Sequence, residues 1–189
     1  MTTFEQIKKI MDSGSKEQKI RLLESLHDSE DPRIISFMIL KLDDVDIEVR
    51  GEAFSSLVLN KNNISDMLTE NLKNESKNVR GYSALVLANR NDRKSIPEIA
   101  LLLEDQSPMV RSCAVGALGY LRASEFNTAI RKCLDDPNIE VKKSAIKSAI
   151  DVGDKYILSK LEELSKMRDP EINNLIALAR NNLSGPGGI

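Results

Sequence analysis

An all-α, right-handed solenoid of about six helical hairpins is the fold that this sequence predicts. Leu, Ile and Ala supply most of the apolar content and aromatic residues make up only 4% of the chain, which favours helices over a β-sandwich. A valine followed by a cationic residue recurs at intervals of 30, 31 and 31 residues, at Val49, Val79, Val110 and Val141. Repeats of this length cannot bury their apolar faces alone, so they are expected to stack on one another.

These four valines are here called anchors. One further interval in each direction gives two more anchor positions, at Gln18 and Ile172. A Ser, Asp or Asn residue stands three positions before each of the six: Ser15, Asp46, Ser76, Ser107, Asn138 and Asp169. Such side chains cap the free N–H groups of a first helical turn. Pro108 and Pro170 follow two of them, at the first helical position that proline favours. Each anchor is therefore predicted to lie at the start of the second helix of a hairpin.

The helical periodicity on both sides of the anchors predicts the core. Apolar residues four, five and eight positions after the anchor, such as Ala53, Phe54 and Leu57, form one predicted buried stripe. The preceding first helix has apolar positions eleven and seven before the anchor: Met38 and Leu42, Leu68 and Leu72, Ile99 and Leu103, Ile130 and Leu134. The predicted exits from the second helices are marked by Asn60, Asn89, Gly119 and Gly153.

The domain organisation follows from this repeat. A single domain is predicted over residues 1–183, followed by a flexible tail over 184–189. Its predicted repeats cover residues 1–29, 30–60, 61–91, 92–122, 123–153 and 154–183.

The unit D-x-x-V-R-x-x-A-x-x-x-L, matched best at 46–57, 107–118 and 138–149, resembles the short HEAT-like repeat of the phycobilisome-lyase type. The resemblance implies a structural ladder in which the cation after each anchor reaches carboxylates and carbonyls in its own and adjacent turns. The predicted ladder residues are Lys19, Arg50, Arg80, Arg111 and Lys142. A basic stripe that binds phosphate or carboxylate ligands remains the alternative.

The second helices are expected to line the concave side of such a solenoid, which is the usual binding surface. Positions opposite the buried stripe give the predicted groove contacts: Glu52, Tyr82, Leu85, Ser112, Cys113, Gly116, Lys143 and Lys147. Tyr82 and Leu85 are the expected apolar anchors of a site. Glycine within a helix costs about 1 kcal/mol relative to alanine. Gly51, Gly81 and Gly116 therefore indicate either room for a ligand or close helix packing.

The composition argues against several function classes. The net charge is −2, so no global positive field favours nucleic acid or an anionic membrane. Locally, residues 24–52 carry nine acids and three bases, and residues 73–94 carry six bases and two acids. His27 is the single histidine, no spacing typical of metal ligands is present, and two cysteines are too few for a disulfide framework. Cys133 is expected in the core, and Cys113 is the one candidate nucleophile.

The predicted function is a non-enzymatic scaffold or adaptor that binds a helix or peptide of another protein. A bilin or tetrapyrrole lyase, or a chaperone-like subunit, is the alternative implied by the resemblance, and nucleic-acid binding is the third. We expect no cofactor and no metal, no membrane span and a cytoplasmic location. The oligomeric state stays open, with a monomer favoured.

Overall fold

Twelve α-helices follow one another along residues 3–184, which are the residues described by this computed structural model, and every regular element in that range is helical. The first six are α1 (Phe4–Ser13), α2 (Lys16–Leu26), α3 (Pro32–Leu40), α4 (Ile47–Leu59), α5 (Ser65–Glu70) and α6 (Lys77–Asn89). The next six are α7 (Ile96–Leu101), α8 (Pro108–Tyr120), α9 (Asn127–Lys132), α10 (Ile139–Asp151), α11 (Leu158–Ser165) and α12 (Pro170–Leu183). The predicted all-α repeat architecture is confirmed.

The chain forms two compact units, Met1–Arg90 and Asn91–Ile189. The first unit contains α1 to α6 and the second contains α7 to α12, so each holds three helical hairpins. The single-domain organisation over residues 1–183 stays a prediction, and residues 185–189 of the predicted tail lie outside the described residues. Among residues 3–184, no helix is both long and apolar enough to cross a membrane.

The even-numbered helices begin where the capping residues predict. The side chains of Ser15, Asp46, Ser76, Asn138 and Asp169 accept backbone N–H groups of the first turn that follows. Ser107 is the N-cap of α8 but makes no capping hydrogen bond with its side chain. Pro108 stands at the first helical position, where the N–H group that proline lacks would have no helical partner.

The anchors and the apolar positions of the first helices form the core. All four anchor valines are at most 1% exposed. The residues seven positions before them lie in 3-10 turns that close the first helices: Leu42, Leu72, Leu103 and Leu134, all of them buried. These tightened turns bring the chain back towards the start of the next helix while keeping a leucine in the core.

Residues with positive φ lie twelve positions after three of the anchors. They are Asn91 (φ 55°), Arg122 (φ 50°) and Gly153 (φ 73°). Gly119, predicted to mark the exit of its helix, is the second-last residue of α8 and is buried. A Cβ atom on Gly119 would come within 2.6 Å of the Cα atom of Ser148 in α10, so this glycine allows two helices to approach closely.

Two buried serines join neighbouring even-numbered helices within each unit. Ser56 Oγ in α4 lies 3.0 Å from the carbonyl oxygen of Leu23 in α2. Ser148 Oγ in α10 donates to the carbonyl oxygen of Val115 in α8 at 2.7 Å. Both serines stand seven positions after an anchor. Each hydroxyl therefore satisfies its hydrogen-bonding capacity inside the core.

Candidate functional site

An apolar groove lies in the first unit, on the surface of α4 and α6. Its volume is about 260 Å³ and its lining residues are Ile47, Arg50, Gly51, Phe54, Tyr82 and Leu85. Tyr82 and Leu85 are half-buried, so each presents apolar surface to the groove while being held by its helix. Ile47 is 71% exposed. The structure thus brings together the two predicted apolar anchors with four residues of α4.

Gly51 forms an open part of this groove. A Cβ atom on Gly51 would meet no atom of residues 3–184 within 4 Å. Close helix packing therefore does not explain this glycine. The same test on Gly116 in α8 also finds open space, whereas Gly119 in the same helix is pressed against Ser148. Of the two readings left open by the sequence, room next to the backbone holds for Gly51 and Gly116.

Two groove residues were missed by the sequence pattern. Phe54 was predicted in the buried stripe, but it is half-buried and lines the groove. Ile47 is the first residue of α4, before the anchor from which the pattern was counted. A wide apolar stripe on α4 was the available signal, because Ile47, Phe54 and the neighbouring core positions together cover more than one helical face.

The cations after the anchors bind the turn that precedes their own helix. The Nη1 group of Arg50 donates to Asp44 O at 2.7 Å, and that of Arg111 donates to Asp105 O at 2.8 Å. Arg80 Nη1 donates to Asn74 O at 2.8 Å. Lys142 Nζ donates to Leu134 O at 3.0 Å. Each cation therefore satisfies carbonyl groups that the tight turn leaves without helical partners.

Lys19 and Arg111 also reach the equivalent turn of the next repeat. Lys19 Nζ lies 2.9 Å from Asp44 Oδ2. Arg111 makes a two-pronged contact with Asp136, in which Nε–Oδ2 is 2.7 Å and Nη2–Oδ1 is 2.9 Å. Such a fork matches the planar guanidinium to the planar carboxylate.

Hydrogen bonds to these carboxylates lower their pKa values. Burial of Asp44 acts to raise its pKa, but hydrogen bonds from Lys19 and from the Asp46 backbone outweigh it and hold the pKa below the usual value. The hydrogen bonds from Arg111 hold the pKa of Asp136 below its usual value, against a smaller effect of burial. Both groups are therefore carboxylates at neutral pH.

Arg50 differs from Arg111 in the partners of the Nε side of its guanidinium group. Its Nε atom is buried and has no acceptor among the described residues. Within the same part of the chain, no carboxylate forms an ion pair with Arg50. At the position equivalent to Asp136, the next repeat carries Asn74, whose Oδ1 accepts the Ser76 N–H at 2.9 Å.

The remaining predicted groove residues have partners of their own. Glu52 Oε1 in the first unit lies 2.9 Å from Ser56 Oγ. In the second unit, Ser112 Oγ and Ser144 Oγ are 2.8 Å apart. Gly116 lies nearby on α8 and is open to its surroundings.

Lys143 was predicted to be a polar end of the groove, but it is only 8% exposed. Its Nζ atom lies 2.8 Å from Glu171 Oε2 and 3.1 Å from Glu140 Oε1, and these hydrogen bonds raise its pKa. The charge of Lys143 is therefore already neutralised by its own unit. Lys147 is more exposed and lies 3.6 Å from Glu171 Oε1. It is the more accessible cation of the two.

The cysteines are poor nucleophiles at neutral pH. Burial raises the pKa of Cys113 to about 11, and burial together with the charges of Asp136 and Glu104 raises that of Cys133 to about 11. The thiolate is the reactive form. Cys113 therefore has weak support as a covalent attachment point. Among residues 3–184, no cluster of three His, Cys, Asp or Glu side chains is arranged to hold a metal ion.

We expect both cysteines to react slowly with iodoacetamide while the chain is folded. Because their pKa rises from 9.0 to about 11, the thiolate fraction near neutral pH falls by about a hundredfold. Mass spectrometry over a time course should show this slowing relative to the same chain in urea at the same pH. Rapid labelling of Cys113 in the folded chain would contradict the burial of its thiol and restore it as a candidate nucleophile.

Comparisons with known proteins agree with the observed architecture. Residues 65–126 match the family model described as HEAT repeats. A search of the curated proteins found no match.

Three solved structures are similar to this chain in fold. The complex of CpcE and CpcF of phycocyanin lyase from Nostoc sp. is 16% identical, covers 98% of this chain and 78% of that chain, and has a TM-score of 0.59. YibA of Escherichia coli is 19% identical, with coverage of 96% and 67% and a TM-score of 0.62. A designed armadillo repeat protein in complex with the peptide (KR)4 is 18% identical, with coverage of 94% and 98% and a TM-score of 0.54. At these identities the likeness concerns the fold alone.

Proposed function

We propose that this chain is a non-enzymatic interaction module that binds a peptide segment or helix of a partner protein. The match of residues 65–126 to the HEAT-repeat family model supports this proposal. The proposed site is the apolar groove of α4 and α6. The observation that carries the proposal is the open backbone at Gly51, flanked by Phe54, Tyr82 and Leu85. Apolar surface next to a bare backbone allows a partner side chain to pack closely, and an aromatic residue is a common centre of binding energy.

The size of the groove favours a side chain over a cofactor. Small-molecule sites usually enclose roughly 300–1,000 Å³, whereas this groove has about 260 Å³. A tetrapyrrole is larger than the side chains of a peptide, so the groove offers no support for the lyase alternative. The similar structures support protein binding in general terms, since one is a complex of two proteins and another holds a peptide.

In the second unit, we include the corresponding face of α8 and α10 as a further contact surface. Gly116 supplies open backbone and Ser112 supplies a hydroxyl there. Cys113 is an apolar contact in this proposal, because burial keeps its thiol protonated. Lys147 is the polar end of this surface, and Glu52 is the polar end of the groove in the first unit. Lys143 contributes by ordering Glu171, with which it pairs.

The test starts from random peptides displayed on phage and selected on the intact chain. Selected peptides should bind the Tyr82→Ala, Leu85→Ala double variant at least roughly thirtyfold more weakly, because truncating a central anchor typically costs about 2 kcal/mol or more. The matched control is the Leu59→Ala, Tyr120→Ala double variant. It removes the same two side-chain types from exposed positions outside the groove.

The Gly51→Ala variant separates binding from stability. It should raise the free energy of unfolding by about 0.5–1 kcal/mol, because the added methyl group meets no neighbour and alanine favours helix. It should also weaken peptide binding, because the methyl group fills the groove. Equal binding losses in the groove variant and in the Leu59→Ala, Tyr120→Ala control would refute this site.

A further inference from the structure

The guanidinium fork of Arg50 has no carboxylate partner among residues 3–184. Arg111 uses Nη1 for carbonyls of its own turn, and its Nε and Nη2 groups hold Asp136. Arg50 makes the same Nη1 contact with Asp44 O. Its Nε atom, however, is buried without an acceptor among residues 3–184. The two arginines occupy equivalent positions, one residue after an anchor.

The cause lies in the next repeat. Asn74 takes the place of an aspartate, and its side chain is engaged within its own turn. Its Oδ1 accepts the Ser76 N–H, and its Nδ2 donates to Asn71 Oδ1 at 3.0 Å. An asparagine carries no charge, so the guanidinium of Arg50 is not neutralised there. A buried donor without an acceptor is unfavourable, and an added acceptor would remove that penalty.

Arg50 also lines the apolar groove, and among residues 3–184 no other charged side chain does so. Of the neighbouring acids of α4, Glu48 pairs with Lys16 at 2.9 Å and Glu52 lies 2.9 Å from Ser56 Oγ, and neither lines the groove. The charge within the groove lining is therefore that of Arg50, which favours a negatively charged ligand group.

We infer that the partner segment carries an Asp or Glu next to a large apolar residue. The apolar side chain packs between Phe54, Tyr82 and Leu85, and the carboxylate pairs with the guanidinium group of Arg50, which lines the groove. This inference rests on the proposed function and specifies its partner as an acidic peptide. A fork of this kind is selective for a planar carboxylate, so it would set which peptides the groove accepts.

The experiment supplies the missing carboxylate from the chain itself. In the Asn74→Asp variant, the new carboxylate should pair with the buried Nε edge of Arg50 and neutralise the charge that a peptide carboxylate would otherwise meet. The control is Asn63→Asp, which makes the same chemical change at an exposed position after the end of α4. The probes are the phage-selected peptides, together with copies in which each Asp or Glu is replaced by Asn or Gln.

We expect the peptides that depend on Tyr82 and Leu85 to be enriched in an acid beside a large apolar residue. The affinity of these peptides should fall roughly tenfold or more in Asn74→Asp and be unchanged in Asn63→Asp. In Asn74→Asp, the peptide carboxylate loses its charged hydrogen bond with Arg50, because the new aspartate neutralises that arginine. The amide copies should lose the same factor on the intact chain. Asn74→Asp should also raise the urea midpoint, and this rise should vanish in the Arg50→Gln background.

If Asn74→Asp does not fold, Arg50→Gln serves as the second variant, and it should abolish the preference for acidic over amide peptides. Peptides that need Tyr82 and Leu85, yet show no acid enrichment and bind Asn74→Asp normally, would overturn this inference and leave the proposed function standing. Selected peptides that ignore Tyr82 and Leu85 altogether would overturn both.

Discussion

Replacing Asp136 with alanine should lower the free energy of unfolding by about 3 kcal/mol, the usual loss when one partner of a buried ion pair is removed. The side chains of Arg111 and Asp136 are only 14% and 9% exposed. The substitution leaves the Arg111 fork unpaired and also removes the acceptor for the Asn138 N–H. Urea unfolding followed by circular dichroism measures the effect.

The adjacent Asp135 provides the matched control. Its side chain is 65% exposed and pairs with Lys160 at 2.8 Å, so Asp135→Ala should change the stability by no more than about 1 kcal/mol. Equal effects of the two substitutions would show that the ladder contact adds nothing beyond an ordinary surface ion pair.

The contribution of Asp136 should also depend on pH in a defined direction. Its pKa in the folded chain lies below the ordinary value of 3.8. The stabilisation is therefore complete well above 3.8 and is lost as the pH falls through the lower folded value. The difference between the native chain and Asp136→Asn should accordingly shrink when unfolding is measured at about pH 2 instead of neutral pH.

Two glycines of α8 should respond to alanine in opposite directions. Gly119→Ala should destabilise the fold by about 1–3 kcal/mol, because the new Cβ atom would come within 2.6 Å of the Ser148 Cα atom and overpacking carries costs of that size. Gly116→Ala should stabilise it by about 0.5–1 kcal/mol, because its Cβ atom would meet no described atom within 4 Å and alanine favours helix.

The pair is its own control, since the same chemical change is made three positions apart in one helix. Thermal and urea unfolding of the two single variants are sufficient to compare them. A stabilising Gly119→Ala would mean that α8 and α10 can separate at little cost. The close approach at Ser148 would then be unimportant for the fold.

The repeat pattern predicted the features that depend on residues within a single hairpin. Capping residues such as Asp46 and Asn138 set helix starts through contacts two or three residues away. The anchors and their leucines are buried because each helix has one apolar face. These contacts are local in sequence, so spacing alone was enough to place them.

Contacts between repeats were harder to predict because they depend on two distant residues at once. Lys143 was expected in the groove, yet it is held in an ion pair by Glu171 of the next repeat. Arg50 and Arg111 look alike in sequence, and only the residue at the next turn, Asn74 or Asp136, makes them different. Phe54 was predicted in the core but lines the groove for the same reason, because the position of α6 determines which faces of α4 are covered.

The buried serine contacts limit how this chain could be rebuilt by exchanging repeats. Ser56 Oγ needs the Leu23 carbonyl of the preceding hairpin, and Ser148 Oγ needs that of Val115. The equivalent positions in the two hairpins between them carry Val86 and Ala117, which have no hydroxyl. In a transplanted hairpin, the serine hydroxyl would face a preceding hairpin that packs against an aliphatic side chain in the native order. The hairpins are therefore ordered modules, each fitted to a particular predecessor, and duplication or shuffling would require compensating changes at these contacts.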